Sequence, residues 1–382
     1  MNREVIIVGA GPVGLSLAVQ LGKEGKRVLL LEKKPATSEH SKAITIWPAT
    51  QEILHQMGAL KEFKKQALHF EVVKLYDADN DNFIIQFPLK ELQKETRFPE
   101  LLILPQYRTE KILKENVENN KSVELQFNAE VFSIKDQKEK VKVSYRKNNE
   151  EFTVSGRFLI GCDGGNSFVR ESLKIELKGK TFPFKAGLAD IKLKTDKKFH
   201  SPRFSSGDHL FIAFYIGDDL WRIIFLKKHS VETRIGEKLE EIIQKLFGSE
   251  NFEKIWESEF RLHSRTAEKL HFGNIVLAGD AAHLNSPVGG QGMNAGIIDT
   301  LRLKEALLKA LNSNQSKPLT DYAEKRKKAI KNGVNKNTAF MTSLLLRQNG
   351  RYARLVIKSL ALALKIGWIR HKFLRKMSLL SA

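Results

Sequence analysis

REVIIVGAGPVGLSLAVQLGKEGKRVLLLE, residues Arg3 to Glu32, is the stretch that decides the fold. The β-branched run Glu4 to Val8 reads as a buried strand, a glycine turn follows, and apolar residues at helical spacing predict a helix from about Pro12 to Glu24. Arg27 to Leu31 is a second strand, ending at Glu32. This is the opening βαβ unit of a doubly wound sheet. Gly9 allows the tight turn, Gly11 lets the backbone approach a pyrophosphate, and Gly14 permits close packing of helix on strand. Pro12 suits the first helical turn, where its missing N–H is not needed. The helix start then offers free N–H groups and a positive dipole end to phosphates. Glu32 is placed to accept hydrogen bonds from ribose hydroxyls and would repel a 2′-phosphate, which favours an unphosphorylated adenosine. A glycine turn that merely packs a helix on a sheet is the competing reading; the strand before, the helix after and the acid beyond weigh against it.

Two further glycine signatures follow far along the chain. In GCDGGNS, Gly161 to Ser167, Asp163 comes just after the apolar run Arg157 to Ile160. It therefore lies at the carboxyl edge of a strand, where open α/β sheets bind ligands. Taken alone, Asp-Gly is more often a turn, and Arg170 is either a surface charge or an internal partner of that aspartate. In AGDAAHLNSPVGGQGMN, Ala278 to Asn294, a buried strand from Asn274 to Ala278 delivers Asp280, and the loop Pro287 to Gly292 leads into a helix near Met293. Such a helix start stabilises negative charge on a bound ring system. Three loops in this order imply one dinucleotide held by remote segments, and a flavin enzyme. His283, after two alanines, reads as a packed or hydrogen-bonded structural residue rather than a general base.

With 382 residues, 42% of them apolar, the chain can bury a large core. Its single cysteine, Cys162, forms no internal disulfide, and no Cys/His cluster has metal-ligand spacing, so no metal site is expected and a reducing, cytoplasmic compartment fits. No apolar stretch reaches the length of a spanning helix. Helices are expected at Pro48 to Met57, closed by Gly58, and at Gln106 to Glu118, with strands over Val123 to Tyr145. A hairpin is expected from Phe70 to Tyr76 and Phe83 to Phe87, and a mostly β region from Phe182 to Arg261, including His209 to Ile216 and Leu220 to Leu226. From Gly289 onward the chain reads as helical. The expected organisation is a discontinuous FAD-binding domain (1–69, 98–180 and 262–350), a β-rich substrate domain (70–97 and 181–261) and a basic C-terminal helical segment (351–382).

These residues together resemble the single-component, class A FAD-dependent monooxygenases of the para-hydroxybenzoate hydroxylase fold. Gly9, Gly11, Pro12, Gly14 and Glu32 look like its FAD fingerprint; KAITIWPATQEILHQMGAL, Lys42 to Leu60, is similar to its second segment; and PQYRTEKIL, Pro105 to Leu113, is similar to the one that sets a glutamine, here Gln106, near the flavin. Asp163 with Ser167 and Arg170 looks like the motif associated with FAD and NAD(P)H. Asp280 resembles the aspartate on the ribitol chain, with Pro287, Gly290, Gly292, Met293 and Asn294 in the loop and helix start beside the isoalloxazine. Lys42 stands where an arginine is common, keeping the charge without the planar fork. TLRLKEALL after Asp299 replaces the usual Asn and Trp-Lys pair. The resemblance implies that NADH or NADPH reduces FAD, that O2 adds at the flavin C4a carbon, and that the hydroperoxide hydroxylates an aromatic or polyketide-like molecule. The cofactor carries this chemistry, so no catalytic side chain is expected. A reductase or dehydrogenase of a lipophilic substrate, and a non-catalytic flavin-binding peripheral membrane protein, are the alternatives.

Phe211, Tyr215 and Trp221 are the candidate substrate contacts, because alternation aims them at a shared cavity; at strand spacing such aromatics are also ordinary core. The net charge of +20 is uneven: no acidic residue follows Glu324, while Lys325 to Lys376 hold 15 Lys or Arg. Arg351, Lys358, Lys365 and Lys372 recur every seven residues, forming one basic stripe, with Val356, Leu360, Leu364 and Trp368 facing elsewhere. Such a helix lies against an anionic membrane, at the inner face, or caps the FAD domain with its basic side in water. No nucleic-acid-binding module accompanies the charge.

Overall fold

The computed structural model describes residues 3–39, 42–195, 199, 201–206, 210–228, 235–248, 251–345 and 350–381. A mixed sheet carries the nucleotide-binding framework. Its core strands lie in the order Ile275–Leu277, Glu150–Gly161, Arg3–Val8, Val28–Leu31 and Val123–Gln126, all parallel, with His271–Phe272 antiparallel at one edge. Val5, Ile6, Ile7 and Leu30 are fully buried, as strands covered on both faces require. The helices Pro12–Lys23 and Gln106–Glu118 pack on this framework, joined by Gly292–Ser313. The expected helix Pro48–Met57 is present, and Gly58 ends it in the left-handed conformation (φ +79°).

The second sheet is the β-rich part. From edge to edge it runs His283–Leu284, Glu253–Ala267, Leu177–Lys192, Leu220–Lys228, Leu210–Gly217, Arg203–Ser206, Val72–Asp77 and Phe83–Pro88. The hairpin expected near residue 70 therefore joins strands more than a hundred residues away, through parallel pairing of Tyr76 with Arg203. Leu177–Lys192 is one continuous strand linking the two sheets' regions. His209, where one strand was expected to start, lies outside the described residues; the strand is seen from Leu210. The helix Ile235–Phe247 was hidden inside a region read as β. Its apolar residues Leu239, Ile242, Ile243 and Leu246 recur at helical spacing and bury one face of this sheet. A small third sheet, Thr45–Ile46, Leu101–Ile103 and Leu68–Phe70, bridges the two regions. Among the described residues, four C-terminal helices follow Ser313: Lys317–Asn332, Val334–Leu345, Gly350–Ala363 and Gly367–Met377.

Candidate FAD site

The three glycine signatures meet in space. A Cβ built on Gly9, whose φ is +103°, would stand 2.4 Å from the Cys162 carbonyl oxygen and 2.8 Å from the Asp163 Cα, so the first and second loops touch backbone to backbone. A Cβ on Gly14 would stand 1.9 Å from the Gly9 carbonyl oxygen, which is the close helix-on-strand packing expected of it. The third loop lies on the same helix, because Gly279 and Gly296 both pack against the Val13 side chain. Gly11 and Gly292, by contrast, face open space with nothing within 4 Å. Gly11 caps the helix Pro12–Lys23 without any side-chain bond, leaving its first amides for a ligand. Glu32 turns back over this turn: Oε2 accepts from Ala10 N at 2.8 Å and Oε1 from Lys34 N at 3.0 Å.

Asp163 is enclosed by its own loop. Ser167 Oγ donates to Oδ1 at 2.5 Å and Val169 N to Oδ2 at 3.0 Å, while burial pushes the carboxyl above its usual range. Arg170 is neither a surface charge nor the aspartate's partner. It is 6% exposed, and its Nη1 donates to the carbonyls of Gly165 (2.9 Å) and Ala281 (3.5 Å), tying the second loop to the third. Asp280 sits in the short turn Gly279–Ala281 that follows the strand Ile275–Leu277. Loss of water raises its carboxyl, while His283 and then Lys42 pull it down. Lys42 itself is exposed. His283 is buried, with Nε2 3.3 Å from Asp299 Oδ2, and Arg326 lies 2.5 Å from Asp299 Oδ1. It is held as part of a buried ionic network beneath the loop.

Two of the expected contacts are spent inside the protein. Gln106 accepts from Ala43 N through Oε1 (3.2 Å) and donates from Nε2 to Glu110 (2.8 Å), so it fixes the segment carrying Lys42. Glu110, buried, also accepts from Ser38 N at 2.9 Å. Asn294 is fully buried. Its Nδ2 donates to the carbonyls of Thr45 and Gly290, both at 2.8 Å, and its Oδ1 accepts from Trp47 N at 2.9 Å. It shapes the loop Pro287–Gly292 rather than reaching past it; Met293 is half-buried against the core and Pro287 is half-buried. Sequence reasoning did not single out Thr45 and Trp47. Thr45 Oγ1 donates to the Gly290 carbonyl at 3.0 Å and Trp47 Nε1 to that of Gly289 at 3.0 Å. Their signal was the alternation in Ile44 to Trp47, which marks a short strand.

The three aromatic substrate candidates are not brought to the cleft. Phe211 and Trp221 are 2% exposed, and both pack with Tyr215 on the sheet face covered by Ile235–Phe247. The alternation was read correctly, but the hidden helix claims that face. The opposite face carries Phe214 and Ile216, which cluster with Ile44 and Trp47 beside the glycine loop. It also carries Arg222, directly across from Phe214 and bonded to Asp190 at 2.7 and 2.6 Å.

Fold and cradle define the class, an FAD-binding oxidoreductase. Residues 2–337 match the family model described as the FAD binding domain, and the chain belongs to that family. It is an FAD-dependent monooxygenase, similar to proteins of that activity over most of its length. It is 27% identical over 335 residues to para-nitrophenol 4-monooxygenase of Pseudomonas sp. (strain WBC-3), covering 85% of this chain and 83% of that one. It is 29% identical over 364 residues to 12-dehydrotetracycline 5-monooxygenase/anhydrotetracycline 6-monooxygenase of Streptomyces rimosus, covering 90% and 70%. The crystal structure of p-nitrophenol 4-monooxygenase from Pseudomonas putida DLL-E4 superposes with a TM-score of 0.89 at 23% identity, covering 99% of this chain and 98% of that one. The last likeness speaks for the fold.

Proposed function

We propose that this enzyme hydroxylates an electron-rich aromatic ring, of a phenol or a polyketide-like molecule, taking electrons from NADH or NADPH and one oxygen atom from O2. The observation that carries this reading is the single cradle formed by three remote loops, with open space at Gly11 and Gly292 and packed backbone at Gly9 and Gly14. Bound there, FAD supplies the redox and oxygen chemistry. Gly9, Gly11, Pro12 and Gly14 hold the pyrophosphate, Glu32 the ribose, Asp280 the ribitol, and the loop Pro287 to Gly292 borders the ring system. Asp163, Gln106 and Asn294 set the shape of the cradle, and Lys42 adds positive charge near Asp280. The aromatic substrate lies against the face bearing the half-buried Phe214. The compounds in the relatives' names, para-nitrophenol, 12-dehydrotetracycline and anhydrotetracycline, favour an aromatic ring of this kind. The same reading divides the chain into the discontinuous FAD domain, the β-rich substrate domain and the C-terminal segment, working in the cytoplasm.

The experiment is turnover of a phenol panel under 18O2 with each nicotinamide cofactor. One labelled oxygen atom in the product, with NAD(P)H consumed stoichiometrically, supports the proposal. NAD(P)H consumption that yields a reduced or desaturated product without label favours a reductase or dehydrogenase instead.

A further inference from the structure

The two last helices, Gly350–Ala363 and Gly367–Met377, have faces of opposite character. Inward, Ile357, Leu364 and Leu374 are buried and Phe373 stacks on Phe87 at 5.7 Å. Arg370 bonds both oxygens of Glu91, and His371 and Arg375 share Glu95. This side is committed, and its far end reaches the flavin loop: Gln291 Nε2 donates to the carbonyls of Lys376 and Met377, each at 3.3 Å. The packing corrects the expected pattern, since Leu364 is inside and Trp368 is outside.

Outward, Leu355, Leu362, Ile366 and Trp368 are 60, 66, 49 and 70% exposed. Leu355 and Leu362, seven residues apart, share one side of Gly350–Ala363, while Ile366 lies in the link to the next helix and Trp368 in that helix's first turn. Lys358, Lys365 and Lys372 stand exposed among them and, among the described residues, pair with no carboxylate. Large apolar side chains grouped in water mark an interaction site. Among the described residues no helix is long and apolar enough to cross a bilayer.

We propose that this outer face docks onto an anionic lipid leaflet. Leu355, Leu362, Ile366 and Trp368 enter the boundary between headgroups and acyl chains, and the three lysines lie against the headgroups. Charge complementarity selects lipid over an ordinary protein partner. Neither helix carries an acidic residue, since none follows Glu324 in the sequence, and each lysine near such a surface strengthens binding about fivefold. The helix that carries Trp368 also contacts the loop Pro287–Gly292, about 12 Å further along its axis and on its inward side. Delivery of a membrane-dissolved substrate rests on the monooxygenase reading; docking itself does not.

The test is co-sedimentation of the FAD-loaded protein with vesicles of phosphatidylcholine alone and with one third phosphatidylglycerol. Binding is expected only to the anionic vesicles, weakening with salt, with a blue shift of Trp368 emission. Leu362→Glu should reduce it at least about tenfold, and Lys358→Glu with Lys365→Glu comparably. All three positions are exposed, so FAD content should not change. A second basic surface, a cavity of about 920 Å³ lined by Lys174, Lys331 and Lys336 among others, provides the control. If vesicles bind Leu362→Glu as tightly as the parent, the attraction is general charge and the proposal fails. It fails equally if the parent does not bind, or if sedimentation shows a dimer that Leu362→Glu dissolves.

Discussion

The three glycines of the first loop should respond to alanine in three different ways. At Gly11 the backbone is extended (φ −74°, ψ −177°), a conformation alanine adopts freely, and the added methyl meets nothing within 4 Å. Gly11→Ala should therefore leave the flavin-free protein as stable as the parent, or about 0.4–1 kcal/mol more stable, because the unfolded chain loses freedom. The open space is where a pyrophosphate would approach. Overfilling such a contact costs about 1–3 kcal/mol, so FAD affinity should fall roughly 5- to 150-fold, and further in Gly11→Val. Gly14→Ala drives a methyl to 1.9 Å from a backbone oxygen, and Gly9→Ala combines a 2.4 Å contact with φ +103°. Both should destabilise the flavin-free chain itself, by about 1–3 kcal/mol or more. Urea denaturation of the deflavinated proteins reads the first quantity and quenching of FAD fluorescence the second. Parent-like FAD affinity in Gly11→Ala, or a loss of apoprotein stability matching Gly14→Ala, would refute the reasoning.

Three further outcomes are expected. Asp299→Ala leaves Arg326 buried without its counter-ion and should cost about 3–5 kcal/mol in urea denaturation, whatever the flavin content; a loss below about 1 kcal/mol would mean that water reaches the network. Phe211→Ala should cost about 3–5 kcal/mol of stability with KM little changed, whereas Phe214→Ala should raise KM for the aromatic substrate; the reverse pattern would reassign the two sheet faces. Burial raises the Glu110 carboxyl, so the folded chain holds that proton more tightly than the unfolded chain. Its contribution is then most favourable below the unfolded value and is lost as pH rises through the folded one. Glu110→Gln should flatten this acid-range decline in stability, and an unchanged slope between about pH 4 and 7 would count against it.

The first βαβ unit was legible because its information is local. A buried strand, a glycine turn and an amphipathic helix are each specified by neighbours in the chain, and Glu32 follows at a fixed distance. The helix Gln106–Glu118 was legible from end to end for the same reason. Ile235–Phe247 was equally periodic but lay between strands, so its surroundings masked its pattern.

By itself the sequence determined the three glycine loops, the first βαβ unit and the presence of a β-rich region, since backbone conformation and strand alternation are set by residue type in order. Only the tertiary structure decided which face of each element meets what. It put Trp221 under a helix and Phe214 toward the loop, turned Asn294 inward to brace Gly290, and left Trp368 in water while Leu364 was buried. Alternation gives two faces without saying which is covered. That choice belongs to segments tens or hundreds of residues away, and to the free energy of packing them together.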